Sequence, residues 1–250
     1  MRVGLLVTCL VDLVRPRIGI AALKLLEEAG CEVFVPETQT CCGQPGWNSG
    51  DRPSARSLAQ KLIEEFEACD YVVAPSGSCA GMVKVHFAEL FPGEGAWLER
   101  AERLARKTYE LTDFLVNIAG IARVPGNYSG TVTYHDSCSG LRELGVKGQP
   151  RALLAKMAGV QLKEMKDAET CCGFGGTFSV KYSGISSAIG EAKARTIAAT
   201  EASCVVSCDL GCLMQIAGKL SRDGKKIQAR HIAELLANMI EAAPIGGERI

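Results

Sequence analysis

The strongest constraint on the fold is an internal repeat that aligns the cysteines of the first half of the chain with those of the second. Thr-Cys-Cys-Gly occurs twice, and the two copies lie 130 residues apart. The outer cysteines match at offsets of 129 and 133 residues, so the offset scarcely drifts. The matched pairs are Cys9 with Cys138, Cys41 with Cys171, Cys42 with Cys172, and Cys79 with Cys212. Such self-similarity indicates two copies of one folding unit.

The sequence around these cysteines predicts that each copy is a small α/β unit. Short β-rich runs end at the outer cysteines, at residues 3–9, 70–79, 131–138 and 203–212. Helical patterns lie at residues 17–29, 56–68, 81–90, 142–158, 185–200 and 213–222. Short strands that alternate with helices favour βαβ crossovers, and therefore a small, mostly parallel sheet flanked by helices in each copy.

Composition and repeat length set the boundaries that we expect for the two copies. We predict a first domain over residues 1–122, a second domain over residues 123–243, and a C-terminal tail over residues 244–250 that frays.

The ends of the two copies carry further predictions. Residues 121–130 contain proline and glycine and are expected to form the linker. Residues 109–120 and 229–240 have matching patterns and are expected to form a closing helix in each domain. Residues 93–107 have no counterpart in the second copy, so we interpret them as an insertion.

The outer cysteines fall where predicted strands end. Sites in open α/β sheets form outside the carboxyl ends of the strands, on the loops that enter the helices. Three loops in each copy are therefore expected to bring thiols to one rim of the sheet. Glycines beside the cysteine pairs let the backbone pass close to a bulky group and offer N–H donors to it. The candidate cofactor-binding glycines are Gly43, Gly173, Gly175 and Gly176.

The bulk composition excludes several classes of partner. Lys and Arg together number 28, as do Asp and Glu, so the net charge is zero and neither nucleic acid nor an anionic membrane is expected as a partner. No apolar run approaches the roughly 18 residues of a membrane-spanning helix, so no integral membrane segment is expected. We expect a cytoplasmic protein, in which twelve cysteines indicate metal or redox chemistry rather than disulfides.

The recurrent cysteines are candidate metal ligands, namely Cys9, Cys41, Cys42, Cys79, Cys138, Cys171, Cys172 and Cys212. Their spacing differs from compact zinc knuckles because the outer cysteines lie more than thirty residues from each pair. Soft thiolates without a recurrent histidine favour an iron–sulfur cluster, and zinc stays open as the alternative. Cys31, Cys69 and Cys204 are interpreted as small buried hydrophobes. His135 is interpreted as a hydrogen-bonding residue at a strand end.

These motifs resemble the cysteine-rich CCG domain, and the resemblance covers nearly the whole chain. That domain occurs twice in one of the subunits of heterodisulfide reductase, in the iron–sulfur subunits of glycolate oxidase and anaerobic glycerol-3-phosphate dehydrogenase, and in the lactate utilization A family. The sequence is most similar to the last of these. The stretches that carry the similarity are residues 7–12, 41–50, 74–82, 111–117, 137–147, 170–181, 211–222 and 231–236.

The resemblance implies an iron–sulfur subunit that works with lactate utilization proteins B and C to oxidise L-lactate to pyruvate in the bacterial cytosol. It also adds Cys208 as a fifth candidate ligand in the second half, since the heterodisulfide reductase relative holds a non-cubane four-iron cluster with five cysteines. The first half has Pro75 where such a partner of Cys79 is expected. The cofactor is therefore expected to be a 4Fe-4S cluster, cubane or non-cubane, with one or two per chain.

Three functions stay open on the sequence alone. The leading hypothesis is electron transfer within a lactate-oxidising complex, because the chain carries no G-x-G-x-x-G after its first strand and no catalytic acid–base constellation. The second is a heterodisulfide or thiol–disulfide reductase that acts at a cluster. The third is a zinc-stabilised interaction module without enzymatic activity.

Overall fold

Each half of the chain forms a sheet of four parallel strands, which confirms the predicted α/β fold. The computed structural model describes residues 1–247. The strands are β1 (Arg2–Leu5), β2 (Glu32–Phe34), β3 (Tyr71–Ala74), β4 (Thr108–Glu110), β5 (Asn127–Tyr134), β6 (Ala158–Leu162), β7 (Cys204–Ser207) and β8 (Gln228–His231). The first sheet has the order β2-β1-β3-β4 and the second the same order, β6-β5-β7-β8. All neighbouring strands pair in parallel.

Helices connect the strands within each sheet. Those of the first half are α1 (Cys9–Val14), α2 (Arg17–Glu28), α3 (Gln44–Ser49), α4 (Arg52–Phe66), α5 (Gly77–Gly81), α6 (Gly95–Arg106) and α7 (Leu111–Asp113), with π-helical turns at Met82–His86 and Phe114–Ile118 and a 3₁₀ turn at Ala88–Leu90. Those of the second half are α8 (Cys138–Arg142), α9 (Gly148–Leu154), α10 (Thr177–Lys181), α11 (Ser183–Ala198), α12 (Leu210–Arg222) and α13 (Ile232–Leu236). Helix α6 forms from the predicted insertion, and in the second half residues 223–227 connect α12 directly to β8.

The predicted closing helices at residues 109–120 and 229–240 are wrong at their starts. Both segments begin inside the fourth strand of their sheet, β4 or β8, and become helical only afterwards. These edge strands have three and four residues and run straight into helices. A segment so short shows too little alternation to be told from the first turn of the helix that follows.

Two other predicted boundaries also differ from the structure. The last part of the expected linker belongs to β5, whose pairing with β6 shifts register between Asn127 and Gly130, and a glycine at such an irregularity resembles a turn in the sequence. The helix expected at residues 142–158 is interrupted after α8 by Gly145, whose φ of 69° ends that helix.

The predicted tail does not fray where the structure describes it. Ile245 is buried, and its N–H donates to the carbonyl oxygen of Ala229 over 2.9 Å. Residues 248–250 of that prediction lie outside the described residues.

A shared hydrophobic core holds the two halves together. Helix α2 of the first half packs on α13 of the second, and apolar side chains of both halves form one buried cluster. The Arg15 guanidinium crosses the same boundary, with its Nε 2.9 Å from Oε1 of the fully buried Glu234. Because removing one partner of a buried ion pair leaves an uncompensated charge, this contact fixes how the halves sit against each other.

A second contact between the halves lies beside the carboxyl ends of the strands. Helix α5 meets α8 where Gly77 faces Gly140, and a Cβ at Gly77 would lie 2.8 Å from the Cα of Gly140. Only a residue without a side chain permits this approach. The helices that carry Cys79 and Cys138 are thereby brought into direct contact.

Candidate metal centre

Four thiols of the first half gather at the carboxyl edge of the first sheet. Cys9 begins α1 after β1, Cys41 and Cys42 lie in the loop after β2, and Cys79 lies in α5 after β3. The sulfurs of Cys9 and Cys41 are 3.6 Å apart, and those of Cys42 and Cys79 are 3.3 Å apart. Two sulfurs bound tetrahedrally to one metal at about 2.3 Å lie roughly 3.8 Å apart, so this first thiol group has the spacing of metal ligands.

The second half builds a matching set from the equivalent elements. This second thiol group consists of Cys138 at the start of α8, Cys171 and Cys172 before α10, and Cys212 in α12. Cys138 and Cys172 lie close enough to the Cys171 sulfur to lower its pKa, and the sulfurs of Cys172 and Cys212 lie within 4.8 Å of each other. The structure thus brings together eight of the nine predicted ligands, four in each half.

One sulfur in each group is prepared to be a thiolate. Hydrogen bonds from Cys42 and Cys9 lower the pKa of Cys41 to about 3. Hydrogen bonds from Cys138 and Cys172 lower the pKa of Cys171 to about 2. The pKa values of the outer thiols Cys9 and Cys138 are raised. Each of these thiols donates a hydrogen bond to the thiolate of Cys41 or Cys171 and is also partly buried. Because metals bind the thiolate form, occupation of either group releases protons from these donors.

The glycine after each cysteine pair explains the repeated Cys-Cys-Gly. Gly43 and Gly173 have φ values of 85° and 87°, in the left-handed region that favours glycine. Their N–H groups donate to the sulfurs of Cys41 and Cys171 over 3.4 Å and 3.3 Å. A Cβ at Gly173 would lie 2.5 Å from the carbonyl oxygen of Ser186.

The remaining predicted glycines have a different position. Gly175 and Gly176 have positive φ and line the cavity beside the thiols. A further donor that the sequence did not indicate is the Phe174 N–H, which lies 3.5 Å from the Cys172 sulfur.

Cys208 lies apart from the second thiol group. Its buried sulfur is 3.5 Å from the Ser137 hydroxyl, and burial raises its pKa. Within residues 1–247, the lining of the cavity includes the eight gathered thiols and not that of Cys208. The three cysteines interpreted as hydrophobes, Cys31, Cys69 and Cys204, are also buried outside this lining.

His135 has a different environment from the one predicted. It follows β5, is completely buried, and neither ring nitrogen has a hydrogen-bond partner among residues 1–247. The interpretation of this ring as a strand-end hydrogen-bonding group is therefore wrong. One ring nitrogen and the sulfurs of Cys172 and Cys212 lie within 4.8 Å of one another. Burial lowers the pKa of His135 to about 3, so the imidazole is neutral.

Both thiol groups line a single cavity of about 460 Å³ between the halves of the molecule. Its polar side chains include Gln44, Asn48 and Asp209. Asp209 accepts hydrogen bonds from the Ser76 hydroxyl over 2.8 Å and from the N–H and hydroxyl of Ser78 over 3.1 and 2.7 Å. A carboxylate of the second half therefore holds the loop that presents Cys79 in the first.

The donor set fits a soft metal or a cluster. Every gathered ligand is sulfur, backbone N–H groups point at the sulfurs, and Cys42 and Cys172 are each only 2% exposed. Hard cations prefer oxygen ligands, whereas clustered thiolates are typical of zinc, Cu(I) and iron–sulfur groups. Two adjacent cysteines further favour a group with more than one attachment point.

The sequence matches the cysteine-rich domain family CCG twice, at residues 3–84 and 132–217. The chain therefore belongs to the family of proteins that carry a duplicated cysteine-rich CCG domain.

Within that family, the similarity predicted to lactate utilization protein A is confirmed. The chain is 45% identical to lactate utilization protein A 2 of Bacillus cereus over 237 residues, which cover 95% of this chain and 98% of the relative. It is 47% identical to lactate utilization protein A of Halalkalibacterium halodurans over 236 residues, which cover 94% and 96%.

The fold also has a distant likeness among solved structures. An ABC transporter solute-binding protein from Agrobacterium vitis aligns with 92% of this chain and 76% of its own at 12% identity, with a TM-score of 0.34, and this carries no inference about function. Over residues 1–247, no helix combines the length and apolar character needed to cross a membrane.

Proposed function

We propose that this chain is the iron–sulfur subunit of a complex that oxidises L-lactate to pyruvate, and that it works in the cytoplasm with lactate utilization proteins B and C. The relatives named above support the lactate substrate. One observation supports the electron-transfer role most directly: two groups of four thiols, one from each half, line the same cavity.

The chemistry of the thiols favours iron–sulfur over zinc. A bound 4Fe-4S cluster supplies one-electron transfer at a potential set by hydrogen bonds and solvent exposure. Both factors are present in this chain. The N–H groups of Gly43 and Gly173 donate hydrogen bonds to cysteine sulfurs, and the second cysteine of each adjacent pair is nearly excluded from solvent. A purely structural zinc site has no need of two such groups around one cavity.

The chain supports electron transfer rather than independent lactate dehydrogenation. Lactate loses two electrons and two protons when it becomes pyruvate, which calls for a base at the substrate and a hydride or two-electron acceptor. The sequence carries no nicotinamide or flavin fingerprint. The two thiol groups would therefore hold the cofactor that carries electrons from a partner subunit to a one-electron acceptor outside this chain.

The test is anaerobic purification of the chain alone and together with lactate utilization proteins B and C. Iron and sulfide analysis with electron paramagnetic resonance (EPR) would identify the cofactor, and lactate-dependent reduction of a dye would measure turnover. We expect a brown, iron-loaded chain that turns over lactate only in the assembly. Cys41→Ser and Cys171→Ser are expected to lower turnover at least tenfold. Cys69→Ala, a buried cysteine away from the cavity, is the matched control and should retain it.

A second candidate, a disulfide reductase acting at a cluster, is favoured by the cavity that both thiol groups share. Lactate turnover by the isolated chain would make it the dehydrogenase itself. An iron-loaded assembly that does not oxidise lactate but reduces a disulfide would favour this second candidate. A colourless, zinc-loaded chain would favour the interaction module.

A further inference from the structure

The imidazole of His135 is a buried polar group without a partner among the described residues. The other two histidines of the chain are both engaged. His231 contacts the carbonyl oxygens of Pro75 and Cys208 over 3.1 and 2.9 Å. His86 pairs with Glu89. Because a buried polar group without a hydrogen bond is destabilising, His135 calls for a partner that residues 1–247 do not supply.

The position of the His135 ring is fixed by the sheet. The His135 N–H donates to the carbonyl oxygen of Val206 over 2.9 Å, which continues the pairing of β5 with β7. From there one ring nitrogen lies within 4.8 Å of the sulfurs of Cys172 and Cys212, and the two sulfurs lie within 4.8 Å of each other. A metal at ordinary bond lengths, about 2.0–2.3 Å for nitrogen and sulfur, fits among three such atoms after a small adjustment.

The first half has no equivalent of this ring. There, the Leu6 N–H donates to the carbonyl oxygen of Val73 over 2.9 Å, in the same place that His135 and Val206 occupy in the second half. Leu6 is completely buried and packs in the cluster that contains Cys42 and Cys79. An apolar residue is thus enough for packing at this position. The fold itself does not require the imidazole nitrogens that His135 adds there.

The groups around His135 leave a nitrogen lone pair available. Lys193 and Cys171 act on the ring electrostatically, and the sulfurs of Cys172 and Cys212 lie within 4.8 Å of one ring nitrogen. The Lys193 ammonium donates to the carbonyl oxygens of Asp167 and Ala168 and forms no hydrogen bond with the ring nitrogens of His135. A neutral imidazole is a common ligand of iron, zinc and cobalt.

We propose that His135 supplies a nitrogen ligand to the metal group held by the second thiol group, so that the second site has mixed sulfur and nitrogen ligands whereas the first has sulfur alone. The identification of that group as iron–sulfur rests on the proposed function, but the ligation itself does not. Iron–sulfur centres in which histidine replaces cysteine have raised reduction potentials. The proposal therefore makes the second site the better electron acceptor of the two.

The test uses the full chain labelled with ¹⁵N only in histidine, purified anaerobically and reduced. Pulsed EPR should detect a strong ¹⁵N hyperfine coupling of the size produced by a directly bound imidazole. The coupling should disappear in His135→Leu, which reproduces the first half, and persist in His86→Ala. A chain that holds no iron is loaded with one equivalent of Co²⁺ after removal of its metal, and the same coupling is sought. Absence of iron then counts against the proposed function alone.

Two results would overturn the ligation. One is a coupling in wild-type protein no larger than that of a hydrogen-bonded N–H, whether iron or Co²⁺ is bound. The other is a strong coupling that survives in His135→Leu. The wild-type measurement needs no substitution, so the inference is tested even if His135→Leu fails to fold.

Discussion

The two thiol groups have the same backbone frame but different surroundings. Each takes its sulfurs from the ends of three parallel strands, and each has a glycine N–H aimed at the first cysteine of its pair. In the first half, the completely buried Leu6 packs in the same apolar cluster as Cys42 and Cys79. Around the second group the equivalent position holds His135, and a buried lysine stands nearby.

The buried lysine is a second difference of the same kind. The glycine after each cysteine pair contacts Ala55 on α4 in the first half and Ser186 on α11 in the second. Seven residues further along each helix, Leu62 and Lys193 occupy matching positions. Lys193 is 1% exposed, and burial lowers its pKa while the nearby Cys172 sulfur favours its charged form. The two halves thus share the four gathered cysteines, whereas His135 and Lys193 stand beside them only in the second half.

The comparison predicts that the second site is the sturdier of the two. We expect the second site to hold the larger share of the bound iron, because Lys193 and His135 add attraction for metal-bound thiolates only in the second half. Cys172→Ser should therefore remove more than half of the bound iron, and Cys42→Ser a smaller share. Iron per chain after anaerobic gel filtration measures both. Equal losses, or a greater loss from Cys42→Ser, would contradict this ranking.

The fourth strands also end differently, in Glu110 and in His231. Burial raises the pKa of Glu110 to about 7, although one of its oxygens accepts hydrogen bonds from Thr112 and Asp113. The unfolded chain ionises this group near 4.5. The contribution of Glu110 to stability is therefore fully present below that pH and is lost as the pH rises toward 7, by up to about 3 kcal/mol at roughly 1.4 kcal/mol per pKa unit.

Glu110→Gln should abolish this fall. The difference in unfolding free energy between variant and wild type should grow by up to about 3 kcal/mol between pH 4.5 and pH 8, as measured by urea titration of the metal-free chain. Glu102→Gln, an exposed position on α6, is the control. Parallel pH profiles for Glu110→Gln and wild type would show that Glu110 is already ionised at low pH.

Lys193→Met should lower the reduction potential of the second site without changing the first. The loss of one buried cation is expected to change the redox equilibrium about tenfold, which is about 59 mV for one electron. Spectroscopic redox titration resolves the two sites. Lys193→Arg, which keeps the charge, should retain most of the wild-type reduction potential of the second site. A shift of equal size in both sites would break the distinction between them.

The smallest change in stability is expected at Asp209, which links the two halves of the molecule beside the shared cavity. Asp209→Asn leaves one side-chain oxygen to accept hydrogen bonds from Ser76 and Ser78, and it replaces the other oxygen with an NH₂ group that cannot accept one. The substitution should lower the free energy of unfolding by about 1 kcal/mol. Asp223→Asn, an exposed residue after α12, provides the baseline in the same urea experiment. A neutral result at Asp209 would mean that the loop of Cys79 is held by the Gly77–Gly140 contact alone.

The sequence predicted which thiols gather better than it predicted what surrounds them. Cys9 and Cys212 could be placed because a repeat fixes equivalence and parallel strands all end at one edge. The offset of Cys208 from the group could not be predicted, since Cys208 directly follows β7 whereas Cys212 lies in the first turn of α12, and the two therefore point different ways. His135 was misinterpreted because a single histidine at a strand end has the same sequence signature whether it pairs with backbone or lies against thiols.

The close spacing of the first thiol group also restricts the order in which the protein is assembled. Cys42 and Cys79 are free thiols with sulfurs 3.3 Å apart, and Cys9 and Cys41 are 3.6 Å apart. A short movement closes either pair to the roughly 2.05 Å of a disulfide, and the low pKa of Cys41 supplies the thiolate that begins such oxidation. A metal that binds here would compete with oxygen for the same four sulfurs in the newly folded chain. The proposed metal would therefore have to be delivered before exposure to air, and a chain oxidised first would need a reductant before it could be loaded.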